Sequence, residues 1–376
     1  MKVWKLYLFL LFFGILFFGW NYFVQKEKIN TPKQKPKEVA QKIEKPKIVK
    51  LAMVGDVLIH SRVYKDAKNK NGAYDFKPMF SEVKKVFSNY DLIFANQESI
   101  IGGKKIGLST YPRFNSPEEI GEALVDAGVN IISTANNHSL DKNFIGIKNS
   151  LNFWGKQKNI IYSGTFQNQE ERDKIKYFEK NGIKFAFLSY TAILNGLKPK
   201  YDFEVAVWDK EKIKKELLEA RKRADIILFS IHWGQEYLHK PTKEQRAKAK
   251  FLAENGVDII IGTHSHTIQP IEKIGNTIVF YSLGNFISSQ IGVARKVGLL
   301  GNVVIEKKEN QVVIKDVGGK LFYTFSKNNH HFQVIPFEKM NETYLKKWKN
   351  IEKKYLQIVG VEKMNEKKAQ NRSTEN

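Results

Sequence analysis

An α/β fold behind an N-terminal membrane-spanning helix is what the sequence predicts, and three observations predict it. Apolar strands and amphipathic helices alternate from residue 48 to about 266. The strands run into carboxylates, asparagine and histidines at their ends. Residues 6–24, LYLFLLFFGILFFGWNYFV, are apolar almost throughout.

A helix of that last length, at about 1.5 Å per residue, spans roughly 28 Å, close to the thickness of a bilayer core. Lys2 and Lys5 precede it and no A-x-A-like cleavage site follows, so residues 1–25 read as an uncleaved signal anchor. Lys26, Lys28, Lys33, Lys35 and Lys37 follow the segment, and counted alone they would favour the cytoplasmic side. The expectation adopted is a single-pass cell-membrane protein with its C-terminal domain extracellular. Residues 26–47 carry three prolines among many lysines and almost no large apolar side chain, the composition of an extended, basic linker.

The domain over 48–340 begins with a strand at 48–57. A helix over 76–88 has Phe76, Met79, Phe80, Val83 and Phe87 at helical spacing. A strand at 92–99 precedes a helix over 117–128, which opens on Pro117 and acids and closes on Gly128. Then come a strand at 130–138, a helix near 144–157, a strand at 184–191, a helix over 209–224, a strand at 225–234, a helix over 242–255 and a strand at 258–266. From about 268 the pattern changes to consecutive strands with turn signals, one of them at Glu309-Asn310. An amphipathic helix over 341–357 opens the C-terminal segment 341–360, and residues 361–376 read as a polar, frayed tail.

Composition narrows the chemistry. The chain of 376 residues has no cysteine, which excludes a disulfide framework, a thiolate metal site, a cysteine nucleophile and cysteine lipidation. Lys and Arg number 62 against 39 Asp and Glu, a formal charge of +23. Such a surface attracts polyanions, among them anionic lipid, teichoic-type polymers and polyglutamate. Nucleic acid is set aside as a partner, because no base-reading motif is present and the anchor points to another compartment.

The polar residues fall where strands give way to loops. Asp56 ends the first strand, Glu98 the second, Asn137 and His138 the third, His232 a later one, and His264 and His266 the last. His60 lies just past the first. Each has an ordinary reading alone: Asp56 as a cap, Glu98 as a surface acid, Asn137 as a left-handed turn residue. In open α/β sheets, however, the ligand crevice lies outside the carboxyl ends of the strands, where residues distant in sequence converge. Imidazole and carboxylate donors suit one or two divalent ions of manganese, iron or zinc. A bridging carboxylate such as Glu98 suits a pair of ions and a hydrolytic reaction. Arg113, in YPRFNSP, is a candidate clamp for a carboxylate or phosphate of the substrate. Ser282 and Asn285 in SLGNF lack the G-x-S-x-G context of a serine hydrolase, and Asn285 is the candidate for orienting a ligand from behind.

GDV at 55–57, NQES at 96–99, NNH at 136–138, HWG at 232–234, GTHSH at 262–266 and SLGNF at 282–286, in this order, resemble the CapA/PgsA-type family of capsule and poly-γ-glutamate synthesis proteins. That family is itself similar to calcineurin-like metallophosphoesterases. The resemblance covers roughly residues 50–290 and implies a four-layer α/β/β/α sandwich. It implies that Asp56 and His266 hold a first ion, that Asn137, His232 and His264 hold a second, and that Glu98 bridges them. His138 would be the general acid or oxyanion stabiliser. Two positions depart from the broader phosphoesterase pattern, since Leu58 stands where D-x-H would place histidine, leaving His60 as an additional candidate ligand, and the bridging acid is glutamate. The function implied is synthesis, export or anchoring of an anionic capsule polymer, poly-γ-glutamate, at the membrane and with other membrane subunits, using a metal-dependent hydrolase-type site. Two alternatives stay open: a surface phosphoesterase or amidase on another envelope polymer, and a non-enzymatic polyanion scaffold with a degenerate site.

Overall fold

A computed structural model describes residues 46–360 except 310, together with residues 12, 15, 16 and 19–23. The chain divides into two compact units, Met1–Glu44 and Lys45–Asn376. In the first, the described residues are helical and expose Phe12, Ile15, Leu16, Trp20, Tyr22 and Phe23. Among the described residues no helix is long and apolar enough to cross a membrane. Most of the expected anchor lies outside the described residues, as do the expected linker up to residue 45 and the tail 361–376.

The second unit is built on two sheets. One joins eight strands in the order β14-β13-β12-β1-β2-β3-β4, with β11 added beside β1. These are β1 (Lys47–Val57), β2 (Leu92–Asn96), β3 (Ile131–Ser133), β4 (Ile161–Ser163), β11 (Asn285–Ile287), β12 (Val297–Lys308), β13 (Gln311–Lys327) and β14 (His330–Pro336). The other has the order β5-β6-β7-β8-β10-β9, formed by β5 (Lys176–Lys180), β6 (Ile183–Thr191), β7 (Ile226–His232), β8 (Ile259–Thr263), β9 (Ile271–Ile274) and β10 (Thr277–Phe280).

Alternation along the strands explains the layering, since successive side chains point to opposite faces. Val49, Leu51 and Met53 of β1 pack in one core with Phe185 and Phe187 of β6 and Ile259 and Ile261 of β8. The sheets therefore face each other. Ala52 and Val54 turn outward onto Val83 and Phe87 of the helix Ser81–Phe87 and Leu124 of the helix Glu119–Ala127. Leu188, Phe229 and Ile260 do the same for the second sheet, against Ile213 and Leu217 of Lys210–Arg221 and Leu252 of Lys243–Glu254. The latter helix starts at a capping box in which Thr242 and Gln245 satisfy each other's backbone N–H groups.

Three local features differ from the sequence expectation. β2 and β3 end at Asn96 and Ser133, so Glu98, Asn137 and His138 stand in loops just beyond the ladders. Asn285 opens a short strand parallel to β1 instead of sitting in a loop. The helix expected over 341–357 is Trp348–Val359. Asn341 explains the late start: its side-chain oxygen accepts the N–H groups of Thr343 and Tyr344, a local turn that competes with the helix, and Lys347 then takes a left-handed φ of 57°.

Candidate metal centre

The ladders bring the site together. In register, Asp56 stands between Asn96 of β2 and Asn285 of β11, and His232 stands beside Thr263 of β8. Gly55 is required before Asp56 because a Cβ there would lie 1.8 Å from the Gly284 carbonyl oxygen, which accepts the Asp56 N–H at 2.9 Å. Gly262 is required before Thr263 for the same reason, a Cβ meeting the Tyr281 oxygen at 2.1 Å. Beyond β8 the chain turns sharply, with φ of 92° at His264 and 54° at His266. For histidine this is an uncommon backbone, costing on the order of 1 kcal/mol or more per residue. It turns both imidazoles toward the first sheet's strand ends.

Two groups of donors result, Glu98 with His232 and His264, and Asp56 with Glu98 and His266. All are buried. In the first group, His232 Nε2 lies 2.9 Å from Asn137 Oδ1, 3.0 Å from His264 Nδ1 and 3.6 Å from Glu98 Oε1. With its proton on Nδ1, 2.9 Å from Thr263 Oγ1, His232 turns a lone pair toward that cluster. In the second group, His266 Nδ1 is 3.3 Å from Asp56 Oδ2, and Nε2 is 3.7 Å from Glu98 Oε1. Asn285 Oδ1 meets His266 Nδ1 at 3.0 Å, and its amide donates to Gln290 Oε1 and the Arg295 carbonyl, so the ring is held from behind.

Glu98 decides what the groups are for. Both of its carboxylate oxygens are buried without a hydrogen-bond partner, although burying an unpaired carboxylate costs several kcal/mol, roughly. Burial, and then the Asp56 charge, push its pKa well above the carboxylate range. Burial, followed by the neighbouring histidines, pulls His232 well below the usual imidazole value. Burial and then His266 bring His264 down to about 3. Burial alone would lower His266 too, but Glu98 and then Asp56 raise it to about 9. Neutral imidazoles at His232 and His264 beside an unsatisfied carboxylate fit a divalent ion, and the separations match the roughly 3.3 Å between donors of a four-coordinate ion.

The remaining candidates line a cavity of about 510 Å³ at this end, with Leu58, Phe114, Asn195, Glu236 and Tyr237. His138 Nδ1 is 2.7 Å from Asp141 Oδ2. Arg113 is an exposed residue of the wall whose Nη2 donates to Asn143 Oδ1 at 3.1 Å. His60 belongs to neither donor group. It stands at the N-terminus of the helix Ser61–Asp66 with Nδ1 3.1 Å from the Leu58 carbonyl, and burial lowers its pKa to about 4. The additional spacing from Asp56 carries its ring off the strand end.

Four contributors escaped the sequence reading. Asn96 donates to Asp56 Oδ1 at 2.7 Å, Thr263 orients His232, Asp141 orients His138, and Glu236 lies 4.0 Å from His266 Nε2. Asp141 was signalled by its i+3 spacing from His138; Glu236 had only its nearness to HWG.

The family described as "Bacterial capsule synthesis protein PGA_cap" matches residues 50–290. The PGA biosynthesis protein CapA of Bacillus subtilis is 31% identical over 268 residues, 67% of this chain and 68% of that one. The capsule biosynthesis protein CapA of Bacillus anthracis is 29% identical over 283 residues, 71% of this chain and 66% of its own. This chain thus spans about two thirds of each relative. A phosphatase structure from Mycoplasma pneumoniae superposes with a TM-score of 0.47 at 16% identity, over 80% of this chain and 99% of that one, a likeness too loose to assign a reaction.

Proposed function

The chain belongs to the bacterial capsule synthesis protein family, and on that premise we propose that it is a membrane-anchored protein that handles an anionic capsule polymer, poly-γ-glutamate, with a metal-dependent hydrolytic site. The observation that carries the reading is Glu98, a buried carboxylate with neither oxygen partnered, flanked by imidazoles on both sides. Support for the polymer comes from the relatives' names, capsule and PGA biosynthesis, and from the +23 charge, which holds polyanions by salt-sensitive attraction. Support for the anchor comes from the apolar run 6–24, which leaves the 46–360 unit outside the membrane.

Asp56, Glu98 and His266 would hold one ion, and Glu98, Asn137, His232 and His264 a second. When bound, such ions supply Lewis-acid polarisation of the scissile group and neutralise developing charge. The chain's own residues do the rest. Arg113, fixed by Asn143, offers a guanidinium to a carboxylate of the polymer. Asp141 fixes the His138 ring through Nδ1, which leaves Nε2 as the atom that exchanges a proton with the leaving group. Leu58 and Phe114 supply apolar wall to the cavity beside them.

Incubating full-length protein, loaded with manganese or zinc, with poly-γ-glutamate of defined length tests the reading. New amines and shorter chains are expected, both lost in His138→Ala. Polymer left intact, with an aryl phosphodiester cleaved instead, would move the site to phosphoester chemistry. Salt-sensitive polymer binding with no cleavage of either substrate would leave a scaffold.

A further inference from the structure

We propose that Glu236 is a metal ligand, the third carboxylate of the ion site built on His266, and that it makes that site oxygen-rich and selective for a hard divalent ion such as Mn2+. The inference rests on the metal-centre reading above.

Three carboxylates converge on one imidazole. Asp56 Oδ2 is 3.3 Å from His266 Nδ1, and Glu98 Oε1 and Glu236 Oε1 are 3.7 and 4.0 Å from Nε2. Among the described residues, no lysine or arginine forms an ion pair with any of the three, in a chain where basic residues outnumber acidic ones 62 to 39. His266 is the one basic side chain set against all three, and the buried Glu98 oxygens have no hydrogen-bond partner at all. A cation is the missing component.

The chain positions Glu236 for this. Trp233 N–H donates to the Thr263 carbonyl at 3.3 Å and Tyr237 N–H to the Ser265 carbonyl at 2.7 Å. Thr267 Oγ1 and Gln269 Nε2 then hold the Leu238 carbonyl at 3.1 and 2.9 Å. The segment bearing Glu236 is thus stitched to the one bearing His264 and His266. Tyr237 accepts a left-handed φ of 68° to allow it, with the Arg295 guanidinium 4.5 Å over its ring. The Glu236 side chain is 39% exposed at the cavity wall, outside the group of donors already close to one another, so meeting an ion requires it to turn inward. Three carboxylates and one imidazole suit Mn2+, whereas the His232 and His264 group is richer in nitrogen and suits Zn2+.

The test is calorimetric titration of chelator-stripped, full-length protein with Mn2+ and, separately, Zn2+. Wild type is compared with Glu236→Gln and with Glu272→Gln, a carboxylate paired with Arg246 elsewhere. Glu236→Gln is expected to weaken one Mn2+ site by about tenfold or more while the tighter Zn2+ step and the Glu272→Gln titrations match wild type. Thermal unfolding in chelator checks that the variant is folded; if it is not, Glu236→Asp, which keeps the charge but shortens the reach, is expected to weaken the same site. Mn2+ affinities equal to wild type in the folded variant would overturn the inference and leave the metal centre standing. If wild type takes up neither ion beyond a Glu98→Ala control, the metal-centre reading fails and the inference with it.

Discussion

His138 Nδ1 lies 2.7 Å from Asp141 Oδ2, with the two side chains only 7% and 1% exposed. The same carboxylate oxygen accepts the Phe114 N–H at 2.5 Å, and the Phe114 ring stands edge-on to the imidazole at 4.7 Å. The imidazole is therefore fixed in orientation while it borders the cavity. Asp141→Asn should keep the metal content and KM but lower kcat by about a hundredfold, the usual scale of a misplaced general acid. Steady-state kinetics beside elemental analysis reads both quantities, and an unchanged kcat would remove the pair from the reaction.

Metal uptake should release protons. Without an ion, Glu98 is held well above the carboxylate range by burial and then Asp56, and His266 is raised to about 9 by Glu98 and then Asp56 against its burial. The pair therefore retains at least one proton at neutral pH, which an ion must displace. Apparent affinity should rise as pH increases from 6 to about 9 and flatten above it. Titrations at pH 7 in two buffers of different ionisation enthalpy should give about one proton released, and identical heats would contradict the arrangement.

Glu98 should be a liability to the metal-free fold. A carboxylate whose folded pKa lies above its unfolded one loses stability as pH climbs past the unfolded value. Glu98→Gln should therefore raise the unfolding free energy in chelator by about 1–3 kcal/mol. Saturating metal should reverse the order, since an ion at a hundred times its Kd adds roughly 2.7 kcal/mol to wild type. Denaturant unfolding in both conditions checks this; a wild type more stable than the variant in chelator would contradict it.

The two sheets are joined by Phe94 of β2 and Phe187 of β6, whose rings meet edge-to-face at 6.1 Å in the shared core. Phe187→Ala should cost about 3–5 kcal/mol. Because the same core sets the spacing of the strand ends, metal affinity should fall with it. A loss under 1 kcal/mol, roughly, in denaturant unfolding would mean that the sheets do not depend on this contact.

Much of the site was legible because its residues come directly after apolar strands whose pattern is strong. Asp56, His232 and the histidine pair 264 and 266 needed only that pattern and the rule that strand ends share a crevice. Glu236 was not legible, since its position depends on hydrogen bonds between loops 233–239 and 263–269 that leave no periodic trace. Nor was the pairing of Asn285 with Asp56, a three-residue strand too short for alternation to show. His60 looked like a ligand by sequence proximity, but two extra residues place it at a helix N-terminus facing the Leu58 carbonyl. The C-terminal helix starts later than the pattern suggests because the Asn341 side chain turns the chain first, and the helix runs only from Trp348.

The most direct measurement is the metal content of the full-length protein purified without chelator, by elemental analysis, beside Glu98→Ala and His264→Ala. Convergence of Asp56, Glu98, Asn137, His232, His264 and His266 on a working centre predicts about one to two equivalents of manganese, iron or zinc, reduced in both variants. Wild-type content no higher than that of the variants, even after supplementation with each ion, would contradict it and leave a basic, two-sheet domain without metal chemistry.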